Sequence, residues 1–171
     1  MIKKILFLGP QGSGKSTQGR LLAQFLGLKY ISTGDIFRAM TGEIKQILDQ
    51  GKLVDDQITS KIVKEKLKDK EFKNGFILDG YPRTVEQINL FNPDFDLVIY
   101  LNLSDDEAIK RLLARGRADD TLDAIAERLR NYHNQTDPVL DYFQELGLLK
   151  QIDGTGSIDL VQQRIRDAIN D

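Results

Sequence analysis

Apolar and polar residues alternate along this chain in two distinct rhythms. Short continuous apolar runs mark strands at Lys3–Leu8, Leu28–Ile31, Gly75–Asp79, Leu97–Leu101 and Leu148–Ile152, and three of these read as strands buried on both faces of a parallel sheet. Between them the apolar positions recur at helical spacing. That spacing predicts helices over Lys15–Leu26, Asp35–Gln50, Ile58–Lys68, Thr84–Phe91, Asp105–Ala114, Asp120–Gln135, Pro138–Leu146 and Ile158–Asn170. Lysines from Lys61 to Lys73 alternate with Glu65, Asp69 and Glu71 around Ile62, Val63 and Leu67, which predicts a solvated amphipathic helix. Strand alternating with helix implies a three-layer α/β fold, a five-stranded parallel sheet with helices on both sides. Ligands of such sheets sit beyond the carboxyl ends of the strands, so the loops after Leu8, Ile31, Asp79 and Leu101 are the ones to inspect.

The first of those loops carries the strongest chemical signal. Gly9 to Thr17 read Gly-Pro-Gln-Gly-Ser-Gly-Lys-Ser-Thr directly after the run Ile5-Leu6-Phe7-Leu8. This is the phosphate-loop pattern G-x-x-x-x-G-K-S/T between a strand and a helix. Glycines such as Gly12 and Gly14 allow backbone N–H groups to curl around a phosphate, Ser13 among them, and the helix start adds the positive end of its dipole. Lys15 supplies a charge for the β- and γ-phosphates, and the Ser16 hydroxyl, followed by Thr17, can ligate Mg²⁺. The plainer alternative is a glycine-rich strand–helix turn. The complete pattern and its flanks favour a nucleoside triphosphate site.

Composition narrows the remaining classes. The 171 residues suit one α/β domain, and 40% apolar with 29% charged residues is ordinary for a soluble globular chain. A net charge of −2 argues against a broad nucleic-acid surface. No apolar run has the length of a membrane span and no signal-peptide pattern is present, so the expected location is cytoplasmic. The absence of cysteine excludes disulfides and a cysteine-ligated structural zinc. Arg130, Arg164 and Arg166 read as solvated helix faces, and His133, the only histidine, reads as surface structure.

Two more loops add motifs: Ser32-Thr33-Gly34-Asp35-Ile36-Phe37-Arg38, and Leu78-Asp79-Gly80-Tyr81-Pro82-Arg83-Thr84 with Gln87 a turn later. Alone, the first is a helix cap and the second a plain turn. With the phosphate loop, and in this order, they resemble the adenylate kinase family of nucleoside monophosphate kinases, over Ile2 to about Ile169.

That resemblance implies a Mg²⁺-dependent, reversible transfer of the ATP γ-phosphoryl group to AMP, giving two ADP, by a monomer. Asp79 matches the carboxylate that holds Mg²⁺ through water, beside Ser16. Thr33 and Gln87 match the residues on the acceptor adenine. Arg38 and Arg83 match the arginines on the AMP phosphate. Gly80, Tyr81 and Pro82 belong to the same side, and Gly51-Lys52-Leu53-Val54 matches the turn on the far side of the AMP pocket. Arg111 matches a residue stacked on the ATP adenine and Arg115 one that binds its phosphates. Arg117 and Arg128 match arginines that reach the transferred group and the AMP phosphate, and Asp119 and Asp120 match a pair that helps hold a closed lid. Gly156, in Asp153-Gly154-Thr155-Gly156-Ser157, resembles a loop on the ATP adenine. Lys15, Arg83, Arg115, Arg117 and Arg128 are thus the expected catalytic set. Planar guanidinium groups suit phosphate oxygens, and a loose transition state calls for positioning and charge rather than a covalent nucleophile.

The implied domain is 1–171, with an AMP-side flap over about 32–54 and a lid over about 115–120. Only Gly116 separates Arg115 from Arg117, so the lid reads as trimmed, and the segment from Arg38 to Gly51 reads as short. A UMP or CMP kinase, and an ATP/AMP sensor with little catalysis, are the competing readings.

Overall fold

In the computed structural model, residues 2–42, 54–116 and 120–170 are described, without the side chain of Arg38. The strands are β1 (Lys4–Leu8), β2 (Lys29–Ser32), β3 (Phe76–Asp79), β4 (Leu97–Asn102) and β5 (Leu149–Asp153). They form one sheet of order β2-β3-β1-β4-β5 in which every neighbouring pair is parallel. The helices are α1 (Lys15–Leu26), α2 (Thr33–Arg38), α3 (Asp56–Lys66), α4 (Val85–Leu90), α5 (Asp105–Arg115), α6 (Leu122–Glu145) and α7 (Ile158–Asn170), with a 3-10 turn at Lys70–Phe72.

The pleat sorts the apolar runs to two faces. Ile5 and Phe7 pack with Ile77, Leu97, Ile99 and Leu101 under Leu22 of α1 and Val161 and Ile165 of α7. Leu6 and Leu8 pack with Leu78 and Val98 under Val63 of α3, Ile88 of α4 and Val139 and Phe143 of α6. Burial on both faces is why β1, β3 and β4 read as unbroken apolar stretches. A smaller cluster, Leu103, Ala108, Leu112, Ile125 and Leu129, joins α5 to α6.

Helix ends follow local chemistry. Gly14 and Gly27 bracket α1 with φ of 93° and 68°. Asp55 caps α3 by accepting from the Gln57 and Ile58 N–H groups, Thr84 caps α4 through Gln87 N–H, and Thr121 caps α6 through Ala124 N–H.

Three helical expectations are corrected. The pattern over Asp120–Gln135 and Pro138–Leu146 is one helix, α6, that runs through Pro138. Ile125, Leu129, Thr136, Val139 and Phe143 form a single buried stripe across the proline, and that packing outweighs one lost backbone hydrogen bond. The lysine-rich helix stops at Lys66 rather than continuing to Lys73. Asp69 takes an extended conformation, and Phe72 turns inward to meet Phe76 edge-on at 6.4 Å. The helix expected over Asp35–Gln50 begins earlier, at Thr33, and residues 39–42 lie beyond its end; the remainder of that expectation falls outside the described residues.

Candidate functional site

All five strands point the same way, so the loops after β1, β2, β3 and β4 gather at one edge of the sheet. Register places Asp79 opposite Phe7 on one side and Ser32 on the other, which brings the three motif loops together.

The phosphate loop is shaped by positions that exclude side chains. Gly9 has a φ of 146°, and a Cβ there would lie 2.7 Å from the Leu101 carbonyl oxygen. Gly12 has a φ of 84° and backs onto the Ala108 carbonyl of α5. The Ser13 hydroxyl is buried within the loop without a hydrogen-bond partner. Lys15 Nζ folds back over the loop and donates to the carbonyls of Gly9 (2.6 Å) and Pro10 (2.8 Å). Burial of this amino group pushes its pKa down to about 8, against the opposing pull of Asp79, while Arg83 adds to the depression.

Asp79 is buried at the base of the loop. Ser16 Oγ and Tyr30 Oη both donate to its Oδ2, at 2.8 and 2.7 Å. Burial, and then the Asp79 charge, push the Tyr30 phenol well above its ordinary range, so it stays a donor. Both donors use one carboxylate oxygen, and neither occupies Oδ1.

Two cavities open beside this loop. The first, about 140 Å³, is lined by Gly9, Lys15, Pro82, Arg128 and Tyr132 among others. The second, about 200 Å³, is lined by Thr33, Phe37, Val54, Asp56, Thr59 and Gln87. Gly80, Arg83 and Gln135 line both, so the two spaces adjoin at these three residues, Arg83 among them. Arg83 is held from three directions. Its Nε donates to Gly80 O (2.9 Å), its backbone N–H to Gln87 Oε1 (2.7 Å), and its carbonyl accepts from Thr136 Oγ1 (3.1 Å).

The other expected residues separate into groups. Thr33 is buried, with its hydroxyl donating to Gly80 O at 3.0 Å. Arg115 makes a two-point contact with Asp120, which also accepts from Arg128 at 3.1 Å. Arg111 donates to Glu107 and to Gly154 O, tying α5 to the loop that contains Gly156. Pro82 faces the first cavity, but Tyr81 lines neither. Its ring is fully buried and its hydroxyl lies against the Gln87 and Phe91 carbonyls, so it acts as a core pillar beneath the loop. Lys52, Leu53, Arg117, Asp119 and the Arg38 side chain lie outside the described residues.

Two of the arginines read as solvated have structural work. Arg164 donates to the carbonyls of Asp153 (2.9 Å) and Thr155 (2.7 Å), because α7 starts directly after that loop. Arg166 lies 4.1 Å over the Phe25 ring, joining α7 to α1. His133 is a surface residue that bridges Asp105 and Asp137.

Sequence reasoning missed Tyr30, Asp56, Asn131, Tyr132, Gln135 and Thr136. The last four were legible as the helical face that continues from Arg128 at spacings of three, four, seven and eight. Tyr30 and Asp56 had no such signal, since only the tertiary fold brings them to Asp79 and Gln87.

A parallel sheet of this order, with a phosphate loop between β1 and α1 and a second pocket alongside it, defines a P-loop nucleotide kinase fold. A family model described as adenylate kinase matches residues 7–148. The chain is 42% identical to an adenylate kinase of Renibacterium salmoninarum over 98% of its own length and 96% of that protein. It is 39% identical to one of Nocardia farcinica over 97% and 98%, and 38% identical to one of Leptospira biflexa over 98% and 100%. The chain belongs to the adenylate kinase family, and it is an enzyme, a phosphotransferase of the nucleoside monophosphate kinase class. The Renibacterium alignment spans 185 positions against the 171 residues here, so that relative carries residues this chain lacks. Among the described residues, no helix is long and apolar enough to cross a membrane, and no group of three or more histidine, aspartate or glutamate side chains is arranged to hold a metal.

Proposed function

We propose that the enzyme transfers the γ-phosphoryl group of ATP to AMP, giving two ADP, with Mg²⁺ accompanying the ATP. The observation that carries this reading is the pair of cavities that meet at Arg83. One holds the phosphate-loop lysine. The other holds Thr33 and Gln87, polar groups suited to the edge of a base. A protein that only bound ATP has no use for the second.

In the proposed reaction an oxygen of the AMP phosphate forms a bond to the γ-phosphorus as the bond to the β–γ bridging oxygen breaks, leaving ADP on each side. The residues supply position and charge. Lys15 turns from the Gly9 and Pro10 carbonyls toward the phosphates. Arg83 fixes the acceptor phosphate at the junction, and Arg115 and Arg128 face the equatorial oxygens where charge spreads. The buried Ser13 hydroxyl gains a partner when a phosphate fills the loop.

The donor set suits Mg²⁺. A serine hydroxyl and one carboxylate are hard oxygen ligands, and too few for an all-protein cage, which fits an ion held largely by substrate phosphates and water. Ser16 would hold it directly and Asp79 through water, and when bound it neutralises charge on the β- and γ-phosphates.

The test is a coupled assay of diphosphate formation with Mg·ATP and each of AMP, GMP, CMP and UMP, beside a control without acceptor. Turnover with AMP far above the others supports the proposal. Preference for CMP or UMP keeps the reaction and overturns the acceptor. ATP binding without transfer to any of the four overturns the proposal.

A further inference from the structure

Three residues, Asp56, Thr84 and Gln87, close a ring of hydrogen bonds at the wall of the second cavity, and the Arg83 backbone N–H joins it at Gln87. Asp56, at the start of α3, accepts from Gln87 Nε2 through Oδ1 (2.7 Å) and from Thr84 Oγ1 through Oδ2 (2.9 Å). Thr84 Oγ1 accepts from the Gln87 backbone N–H (3.1 Å), and Gln87 Oε1 accepts from the Arg83 backbone N–H (2.7 Å). Each contact has a fixed polarity. A carboxylate only accepts and a backbone N–H only donates. Turning the Gln87 amide over would set its oxygen against the Asp56 carboxylate and its NH₂ against the Arg83 N–H, two repulsive contacts in a residue that is almost fully buried.

We propose that Asp56 is a specificity-determining positioning residue: it fixes which end of the Gln87 amide donates and which accepts, and so sets adenine over guanine at the acceptor site. The inference rests on the reading of this cavity as the AMP pocket. With both outer contacts fixed, Gln87 keeps one N–H donor and one carbonyl lone pair for a ligand. Thr33 lines the same cavity with its hydroxyl proton committed to Gly80 O, so it presents an acceptor. Adenine offers a donor at N6 beside an acceptor at N1. Guanine reverses that order, with an acceptor at O6 beside a donor at N1. A locked amide matches one order only, whereas an amide free to turn over serves both. The Arg83 N–H opposes the turned amide at one end and Asp56 opposes it at the other, so Asp56 supplies the half of the lock on the Nε2 side.

The experiment compares kcat/KM for AMP and GMP in the wild type, in Asp56→Asn and in Asp56→Glu. Asparagine keeps the shape but can donate to a turned amide; glutamate keeps an acceptor-only carboxylate. In Asp56→Asn the AMP:GMP ratio is expected to fall by roughly tenfold or more, mainly through a gain with GMP and a higher KM for AMP, while Asp56→Glu restores most of it. A wild type that prefers AMP with an unchanged ratio in Asp56→Asn overturns the proposal and leaves the acceptor reading standing. Equal losses with both acceptors mark a purely structural role and overturn it as well. A wild type without preference for AMP over GMP removes the acceptor reading and this proposal together. Side-chain ¹⁵N NMR of the wild-type protein reads the same lock without a variant. One Gln87 amide proton is expected far downfield from its partner through its bond to Asp56, and both protons at the ordinary positions of a solvent-exposed glutamine amide overturn the inference.

Discussion

Asp120 grips Arg115 at two points: Nε meets Oδ2 at 2.9 Å, and the terminal nitrogen meets Oδ1 at 2.8 Å, with the carboxylate fully buried between the end of α5 and the start of α6. Because Arg128 reaches the same Oδ1, one buried anion sets the spacing of two of the proposed phosphate-binding arginines. Asp120→Ala is therefore expected to affect turnover more than folding. Each guanidinium retains some exposure, about a third for Arg115, so the stability loss should stay at roughly 1–2 kcal/mol by urea titration. The kcat should fall by about tenfold to a hundredfold, as a misplaced charge-stabilising group predicts. A kcat within twofold of wild type would show that the two arginines keep their positions without Asp120.

Lys15 links nucleotide binding to pH. Its amino group titrates near 8 in the free protein, below the ordinary 10.5, chiefly because it is buried. A triphosphate favours the charged form and raises that value again. Binding then takes up a proton from about pH 8 upward, and affinity for Mg·ATP should be flat below about pH 7 and decline above pH 8. The folding contribution has the opposite slope. Between about 8 and 10.5 the unfolded chain holds more protons than the folded one, so this group's contribution to stability rises with pH across that window. Calorimetry in two buffers of different ionisation enthalpy at pH 8.5 measures the proton uptake directly. Lys15→Ala should abolish transfer while leaving a folded protein; activity within about tenfold of wild type would remove the lysine from the mechanism.

Gly80 is expected to be intolerant of any side chain. Its φ is 90°, and a Cβ there would run into the Thr33 hydroxyl oxygen, the group to which the Gly80 carbonyl is bonded. Gly80→Ala should cost about 1–3 kcal/mol through backbone strain and raise the KM for AMP more than that for ATP, because Thr33 lines the second cavity. Thr33→Ala alone should lower base selectivity more than turnover with AMP. Equal KM changes for the two substrates in Gly80→Ala would place Thr33 outside the acceptor pocket.

The single residue between Arg115 and Arg117 bears on water exclusion. Closure over the phosphates limits hydrolysis of the transferred group, and a shortened segment there is expected to limit it less. The ratio of ATP hydrolysis without acceptor to AMP phosphorylation should exceed that of an adenylate kinase whose segment at this position is longer, measured side by side. An equal ratio would mean that the short segment guards the reaction as well as the long one.

The sequence by itself determined the sheet, the phosphate loop and the order of the motif loops, because each is written in local chemistry. Apolar runs bury on both faces, glycines allow a backbone other residues rarely adopt, and a lysine and serine follow them at the fixed spacing of the phosphate-loop pattern. It also held the α6 face beyond Arg128, in helical spacing. Pro138 read as a break because proline forbids one hydrogen bond locally, and only packing of a stripe on both sides of it restored the helix. The tertiary structure alone decided the contacts between residues far apart in the chain: Tyr30 on Asp79, Thr136 on the Arg83 carbonyl and Asp56 on Gln87. Those partners are 49, 53 and 31 positions apart, and no periodicity links them. Their polarity matters only once the sheet has brought the loops within hydrogen-bond reach, which is why the identity of the chemistry was legible and the orientation of its parts was not.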